Sequence, residues 1–400
     1  MFVAKEEIIM KKVRLGIVGV GNMGSGHLNN YVKGLMPEIE VTAVADIKPD
    51  RLERAKEICP SVRCFDTATE LFNSGLCDAA IIATPHYAHP SLCREAMEAG
   101  LHVMSEKPAG VYTKQVRELI DFTKTSDKTY AIMFNQRTNC VYRKVKELVA
   151  SGEYGEMRRV SWIITSWFRT QSYYDSGDWR ATWSGEGGGV MLNQCPHQLD
   201  MWQWICGMPS KIKAVCREGQ WHDIEVEDDV TIYAEYPNGA SGTFITTTGD
   251  CPGTNRLEIT LDRAKILCEY NDKEDRFNLE LYALDMPTSE YIKIATDGFG
   301  KNEGHWIDVE TDGKNEQHVG VMNAFAAHIL RGEPLIAEGA EGINGLTISN
   351  AAFLSAWLDK TVEIPFDEDL YWEMLQKKIA GSKKKENVCE SVKSDMSKTF

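Results

Sequence analysis

The sequence predicts a two-domain protein, with an N-terminal α/β domain on a parallel sheet and an α+β domain with a large, mostly antiparallel open sheet. In the first 135 residues, short apolar strands alternate with helical segments, which is typical of βαβ units. A glycine cluster directly follows the first strand. Beyond residue 135, strand-like runs separated by short turns indicate antiparallel pairing. We therefore place the first domain at residues 10–135 and the second at residues 136–370.

The first domain contains five predicted strands and three predicted helices. The strands are Val13–Val18, Glu40–Asp46, Ala79–Ala83, His102–Ser105 and Thr129–Phe134. The helices are Arg51–Ile58, Pro90–Ala99 and Thr113–Thr125. In a sheet of this kind, ligands bind in the crevice at the carboxyl ends of the strands.

The second domain opens with a predicted helix over Val141–Ser151. Its predicted strands are Arg158–Thr165, Lys211–Val215, Val230–Glu235, Ser241–Thr248, Leu257–Leu261 and Ala264–Tyr270. Helical spacing returns at Val321–Arg331 and Gly345–Thr361. For residues 371–400 we expect a helix and then a disordered tail, because the end of the chain is basic and polar.

The composition narrows the class of protein. The formal net charge of −15 disfavours nucleic acid and anionic membrane surfaces as partners. No run of about 18 apolar residues is present, so we expect no membrane span. The 11 cysteines have irregular spacing without a zinc-finger pattern, which predicts reduced thiols, a cytoplasmic location and no bound metal.

The segment Gly19-Val20-Gly21-Asn22-Met23-Gly24 matches the GxGxxG pattern of dinucleotide-binding Rossmann domains. The first glycine permits the tight turn, the second lets the backbone approach pyrophosphate, and the third lets the helix pack on the strand. The following helix N-terminus attracts phosphate. The alternative is a glycine-rich turn without a ligand, which the βαβ context disfavours.

Asp46 ends the second predicted strand, 22 residues after Gly24. A carboxylate at about this spacing accepts hydrogen bonds from the ribose hydroxyls and repels a 2′-phosphate, so it favours NAD over NADP. Lys48 and Arg51 lie close by in sequence and favour the opposite preference. The alternative for Asp46 is a solvated loop acid.

Two segments carry candidate catalytic groups. Lys107 follows the strand that ends at Ser105, so it is expected at the crevice, where a lysine can polarise a substrate oxygen or relay its proton. Asn193 and His197 follow three glycines and are four residues apart, so in a helix they would share a face. Histidine titrates near neutrality and suits a base that accepts a hydroxyl proton. The alternatives are a surface lysine and a structural histidine, with Asp200 orienting His197 or capping a helix.

Aromatic residues are concentrated between Trp162 and Trp183. Aromatic faces can stack on sugar C–H surfaces, and arginines such as Arg169 and Arg180 can donate to hydroxyls or phosphate. For most of these residues, ordinary core packing is the better interpretation. We single out Trp179-Arg180 as the exception.

These motifs, in this order, resemble those of the glucose–fructose oxidoreductase / inositol dehydrogenase / rhizopine-catabolism (Gfo/Idh/MocA) oxidoreductases over roughly residues 12–366. The Glu106-Lys107-Pro108 triplet in this setting is the most specific of them. The resemblance implies an NAD-dependent enzyme acting on a CH–OH group of a sugar or polyol. It also implies a homo-oligomer, a dimer or tetramer, because members pack their open C-terminal sheets together.

The resemblance implies a role for each matching position. Lys107 and His197 are similar to the family's catalytic lysine and histidine. The implied cofactor-binding residues are Gly19, Gly21, Asn22, Met23, Asp46, Thr84, Pro85, His86, Glu106 and Asn135. The implied substrate-side residues are Arg137, Trp179, Arg180 and Asn193, whereas His89 resembles a helix cap. His305 and His318 cannot be ranked above surface histidines from the sequence.

One departure from the family bears on the substrate. Inositol dehydrogenase-like members carry Asp where this chain has Asn193, and an amide cannot take a proton. The segments 133–137 and 193–197 are similar to members that oxidise O- or C-glycosides at C3. The alternatives that stay open are an inositol dehydrogenase, NAD-assisted glycoside cleavage by transient oxidation, and a non-catalytic sensor of nicotinamide.

Overall fold

A computed structural model describes residues 11–383, 385 and 388. Its N-terminal part is built on a sheet of six strands that all run parallel. These strands are β1 (Val13–Val18), β2 (Ile39–Ala45), β3 (Arg63–Phe65), β4 (Ala79–Ile82), β5 (His102–Ser105) and β6 (Tyr130–Ile132). Their side chains are apolar and largely buried on both faces, as a sheet covered by helices requires.

The spatial order of the strands is β3-β2-β1-β4-β5-β6. The order reverses between β1 and β4, so the ligand crevice lies where these two strands end. The connecting helices are α1 (Asn22–Val32), α2 (Pro49–Ile58), α3 (Ala68–Phe72), α4 (His89–Glu98) and α5 (Thr113–Thr123). This arrangement confirms the Rossmann fold of the N-terminal part.

The second part of the chain contains a sheet of nine strands in the order β14-β13-β12-β11-β7-β10-β9-β8-β15. All neighbours are antiparallel except β7 and β10. The strands are β7 (Met157–Ile164), β8 (Lys211–Glu218), β9 (Glu227–Glu235), β10 (Ser241–Thr247), β11 (Asn255–Leu261), β12 (Ala264–Asn271), β13 (Arg276–Leu284), β14 (Gly304–Asp308) and β15 (Val362–Glu363). The prediction of a mostly antiparallel open sheet is thereby confirmed.

Helices cover one face of this sheet. They include α8, whose first-turn proline suits a helix start. The helices of this part are α6 (Cys140–Ala150), α7 (Gln171–Tyr174), α8 (Pro196–Cys206), α9 (Thr288–Ile294), α10 (Gln317–Arg331), α11 (Gly342–Leu358) and α12 (Glu368–Gly381). The inward side chains of the strands share one core with α8 and α11, whereas alternate outward side chains stay partly exposed.

Helix α10 belongs to the second part by sequence but packs on the parallel sheet. Its buried Val321, Met322 and Phe325 share a core with β1 and β2. The chain therefore returns to its N-terminal half after completing most of the large sheet. This return brings α10 close to the end of β5.

Several predicted features differ from the structure. β3, β13, β14 and β15 were not predicted, and Asn193 lies in a turn rather than in a helix with His197. Within the described residues, no helix has the length and apolarity needed to cross a bilayer. The ten cysteines that the structure describes are all free. The tail predicted to be disordered falls mostly outside the described residues.

Candidate active site

The glycine turn connects β1 to α1 at the switch point of the parallel sheet. Gly19 N donates to Ala45 O at 2.8 Å, which fastens the turn to the neighbouring strand β2. A Cβ on Gly24 would lie 1.9 Å from Gly19 O, so the helix can approach the strand only with glycine there. The first N–H groups of α1 consequently face the crevice.

Asp46 stands at the carboxyl end of β2, as predicted. Its Oδ2 accepts from Val20 N at 2.9 Å within the glycine turn, and its Oδ1 accepts from Lys48 N at 3.0 Å. Arg51 Nη1 lies 3.4 Å from Oδ2. The carboxylate is therefore held beside the turn, where an adenosine ribose lies in Rossmann domains.

The segment after β4 contains Thr84, Pro85 and His86. His86 is buried, its Nδ1 lies 3.1 Å from Glu186 O, and its ring meets Trp179 edge-on at 5.9 Å. His89 does not cap a helix: its two ring nitrogens lie 2.7 Å from Pro108 O and from Thr84 O. Its role is structural, as expected, but it joins the loops after β4 and β5.

Glu106 follows β5 and is buried among histidines. Its Oε1 lies 2.8 Å from Nε2 of His27, which projects from α1. Burial raises the pKa of Glu106, but the hydrogen bond and charge of His27 outweigh it and hold the pKa at about 2. The ring of His318, on α10, lies 5.8 Å from that of His27, and burial lowers its pKa to about 4. An ionised carboxylate thus lies at the centre of this cluster.

Lys107 links the two parts of the molecule. Its Nζ donates to the backbone oxygen of Asn193 at 2.8 Å. Burial lowers the pKa of Lys107, while the charges of Glu106 and Glu186 oppose that shift. A partly buried lysine with a lowered pKa can exchange a proton near neutrality more readily than a fully exposed lysine.

His197 is the second residue of α8 and is 3% exposed. Burial shifts the pKa of His197 well below its usual range, and the charge of Lys107 adds to the shift. The neutral imidazole is therefore favoured, and a neutral imidazole can accept a proton. The charge of Lys107 acts on His197, so the two side chains lie near each other.

The glycine-rich loop before Asn193 is fixed by Glu227 at the start of β9. Its carboxylate accepts from Gly189 N at 2.8 Å and from Met191 N at 2.9 Å. A Cβ on Gly189 would lie 2.0 Å from Glu227 O, so this approach requires glycine. Burial raises the pKa of Glu227 to about 8. The loop that carries Asn193 is held rigidly.

Glu186 also contacts Asn193, and it was not among the predicted site residues. Its side chain is buried, with Oε1 accepting from Asn193 Nδ2 and Oε2 accepting from Ala181 N at 2.5 Å. Burial raises the pKa of Glu186, while the charge of Arg180 opposes the shift. The Glu186 carboxyl group thus contacts the Asn193 amide, which is the residue that departs from the family pattern.

Trp179 and Arg180 lie in the loop between α7 and α8. Arg180 Nη1 donates to Tyr173 Oη at 2.9 Å, and its guanidinium carbon lies 4.6 Å from the centre of that ring. It also stacks on Trp179 at 4.8 Å. Because Trp179 in turn meets His86, this pair lies beside the segment after β4, as the resemblance implies.

Arg137 does not occupy the substrate-side position that we expected. It is 3% exposed and pairs with both oxygens of Asp200, at 2.8 and 2.7 Å. Its third contact is with Glu341 Oε2 at 2.7 Å. The expectation fails because a carboxylate three residues after His197 in α8 takes the guanidinium. Asp200 likewise neither orients His197 directly nor caps α8.

Two other histidines, which could not be ranked from the sequence, lie in different surroundings. His318 lies in the Glu106 cluster, whereas His305 is exposed on the edge strand β14. His27 and Glu186 were missed, although each had a signal. His27 lies three residues after Gly24, almost one helical turn further along α1. Glu186 directly precedes the three glycines.

The residues in the crevice fit a nicotinamide dinucleotide. Thr84 Oγ1 and Asn135 Oδ1 are buried and have no hydrogen-bond partner among the described residues. Both follow strands of the parallel sheet at its carboxyl edge, where a ligand amide or hydroxyl could satisfy them. The glycine turn would bind the phosphates of the dinucleotide, and Asp46 would bind its adenosine ribose. Within the described residues, no cluster of His, Cys, Asp and Glu could hold a metal.

Two family models match the chain in order. Residues 13–134 match the oxidoreductase family model with an NAD-binding Rossmann fold, and residues 142–267 match the GFO/IDH/MocA C-terminal domain. The chain therefore belongs to the Gfo/Idh/MocA oxidoreductase family. This membership makes it an NAD-dependent oxidoreductase.

Full-length relatives of this Gfo/Idh/MocA protein support the same assignment. It is 22% identical to myo-inositol 2-dehydrogenase of Thermotoga maritima, over 88% of this chain and 98% of the relative. It is 23% identical to levoglucosan dehydrogenase of Pseudarthrobacter phenanthrenivorans, over 89% and 99% of the two chains. The crystal structure of WlbA dehydrogenase of Chromobacterium violaceum with NADH and UDP-GlcNAcA has a TM-score of 0.76 at 25% identity, covering 90% and 98%.

Proposed function

We propose that the protein oxidises a secondary hydroxyl, at C3, of a sugar or glycoside, with Lys107 and His197 handling the hydroxyl proton. The hydrogen bond from Lys107 Nζ to Asn193 O carries this proposal. It joins the loop after β5 to the segment that leads into α8, and this supports a shared role of Lys107 and His197 toward one substrate hydroxyl. The relatives named inositol, levoglucosan and WlbA dehydrogenase favour a polyhydroxylated substrate.

The chemistry divides between the protein and the cofactor. NAD, when bound, takes the C–H hydrogen with its electron pair as hydride. The hydroxyl proton passes to the Lys107–His197 pair, and the products are a ketone, NADH and one proton. His197 suits this task because its buried ring favours the neutral form, and Lys107 suits it because burial lowers its pKa. Trp179 and Arg180 present an aromatic face and donors to the sugar.

A spectrophotometric assay of NADH formation with O-glucosides, C-glucosides, free pyranoses and inositols tests the function. We expect oxidation of a glycoside, with Lys107→Ala and His197→Ala each lowering turnover by roughly 10²-fold or more. NADH binding, followed by fluorescence, should persist in both variants. The matched controls are Lys124→Ala and His305→Ala, because Lys124 is exposed directly after α5 and His305 is exposed on β14, away from the loops of the site. Unchanged turnover in both site variants would disprove the mechanism.

An inositol dehydrogenase is the second candidate, and the relative from Thermotoga maritima favours it. The same panel separates the two functions. Turnover of myo-inositol without turnover of any glycoside would establish the second candidate and refute the first. Asn193 favours the glycoside, because the inositol dehydrogenase-like pattern has Asp there.

A further inference from the structure

We propose that Glu186 supplies the carboxylate of this site, holding the Asn193 amide so that its oxygen faces the substrate and placing its own charge opposite Lys107. Glu186 is a positioning residue in this proposal, which rests on the proposed dehydrogenase function. It explains how the chain works with an amide at position 193.

The hydrogen bonds fix the orientation of the Asn193 amide. Glu186 is 1% exposed, and its Oε1 accepts from Asn193 Nδ2, so the NH₂ end of the Asn193 amide faces Glu186. Oδ1 then points away from Glu186. An amide oxygen in that position can accept from a substrate hydroxyl but cannot take its proton.

Glu186 is itself held in one position. Oε2 accepts from Ala181 N, and the backbone oxygen of Glu186 lies 3.1 Å from His86 Nδ1. These contacts tie it to the loop of Arg180 and to the segment after β4. Because Asn193 O accepts from Lys107 Nζ, the chain Glu186–Asn193–Lys107 is continuous.

The charges around Lys107 come from every element that packs on it. Glu106 and Glu186 are negative and raise the pKa of Lys107. Arg169 and Arg180 are positive and lower it. The charge of Lys107 lowers the pKa of four nearby imidazoles, those of His86, His89, His197 and His318. Removing the Glu186 charge leaves Glu106 as the principal anion, so the pKa of Lys107 should fall.

The first measurement needs neither NAD nor substrate. The rate at which acetic anhydride acetylates Lys107 is followed against pH by mass spectrometry in the protein without cofactor. The Glu186→Gln variant keeps the size of the side chain and an oxygen that can accept from Ala181 N. In this variant we expect the midpoint of the rate–pH curve of Lys107 to fall by about half a pH unit or more. The matched control is Glu225→Gln, because Glu225 accepts from Trp183 in the same loop and from Ser382. An unchanged midpoint in Glu186→Gln would overturn the proposal.

The second measurement is a swap of acid and amide. Glu186→Gln alone should lower kcat by roughly tenfold or more with little change in the KM for NAD, because a misplaced polar group mainly costs the reaction step. Asn193→Asp alone places two carboxylates in contact and should also be impaired. The double variant Glu186→Gln/Asn193→Asp restores one acid and one amide, and we expect most of the kcat to return.

The outcomes of the swap are distinguishable from failure of the proposed function. If the wild-type enzyme oxidises no sugar or polyol, the proposed function fails, and the acetylation midpoint still decides the role of Glu186. If the wild-type enzyme is active, a double variant no better than Glu186→Gln would overturn the proposal. A Glu186→Gln variant with wild-type kcat would do the same.

Discussion

At the scale of single residues, the site is governed by a few buried charges that compensate one another. Glu106 stays ionised because His27 faces it, and Lys107 lies between the charges of Glu106 and Glu186. Each of these groups would be costly to bury alone. Burial lowers the pKa of both Lys107 and His197, and the charge of Glu106 opposes the shift in each.

Asp46 carries the first residue-scale prediction, which concerns the choice of cofactor. Its carboxylate lies where the adenosine ribose binds and repels a 2′-phosphate. Asp46→Ser should therefore lower the ratio of NADPH to NADH dissociation constants by roughly tenfold, equivalent to about 1.4 kcal/mol. Fluorescence titration with both reduced cofactors measures this ratio without a substrate.

The control for Asp46 is Asp50→Ser, since Asp50 is an exposed acid in the first turn of α2. It removes one negative charge nearby without touching the glycine turn. If both variants changed the ratio equally, a general charge effect would replace the specific role of Asp46. If neither changed it, discrimination between the cofactors would come from another residue.

At the scale of elements, the position of α8 depends on a buried ion pair. Arg137 follows β6 and donates to both carboxylate oxygens of Asp200, which lies about one turn after His197 on α8. Arg137→Met would leave the Asp200 carboxylate buried without its partner. We expect the free energy of unfolding to fall by about 3–5 kcal/mol, as breaking a buried pair from one side usually does.

Urea denaturation followed by tryptophan fluorescence measures this loss. Arg143→Met is the matched control, because Arg143 pairs with Asp312 at the surface, with both side chains at least 40% exposed. An exposed pair contributes only about 0–1 kcal/mol. Equal unfolding midpoints for the two variants would show that the Arg137–Asp200 pair does not hold α8.

The elements also show what the sequence could and could not reveal. β1, β2, β4, β5 and β6 are mostly apolar and largely buried, so their pattern alone indicates them, and Gly24 and Asp46 have fixed spacing. β3 has only three residues, with Arg63 exposed, and its pattern does not indicate a strand. The edge strand β14 has mostly exposed side chains and leaves no such pattern. The contacts of Arg137 could not be predicted for a different reason, because its partners Asp200 and Glu341 lie far along the chain and only folding brings them together.

At the scale of the whole molecule, the candidate active site lies where the loops after the parallel strands meet the segment that leads into α8. The parallel sheet supplies the cofactor crevice at its carboxyl edge, and the second part of the chain supplies Asn193, in the turn before α8, and His197, in α8. Helix α10, which returns to the first core, carries His318 towards Glu106. Neither part alone contains both Lys107 and His197.

The face of the large sheet opposite its helices is open to solvent in the single chain. Helices cover its inner face, whereas the outward Val215, Tyr233 and Ile163 are 51, 45 and 37% exposed. Apolar side chains spread over a broad sheet are typical of a surface that is covered in an assembly. We expect a second copy of this chain to pack on this face, as the family resemblance implies.

Light scattering on the eluting protein should give a dimer or tetramer of the 45.0 kDa chain. Ile163→Arg/Tyr233→Arg should reduce the mass to that of the monomer, because two buried unpaired charges cost more than the apolar contact contributes. Leu35→Arg, on the exposed surface after α1, should leave the mass unchanged. A monomeric wild-type protein would exclude the assembly. An oligomer that tolerates both arginines would place the interface elsewhere, since a symmetric contact through the sheet repeats each substitution in both copies.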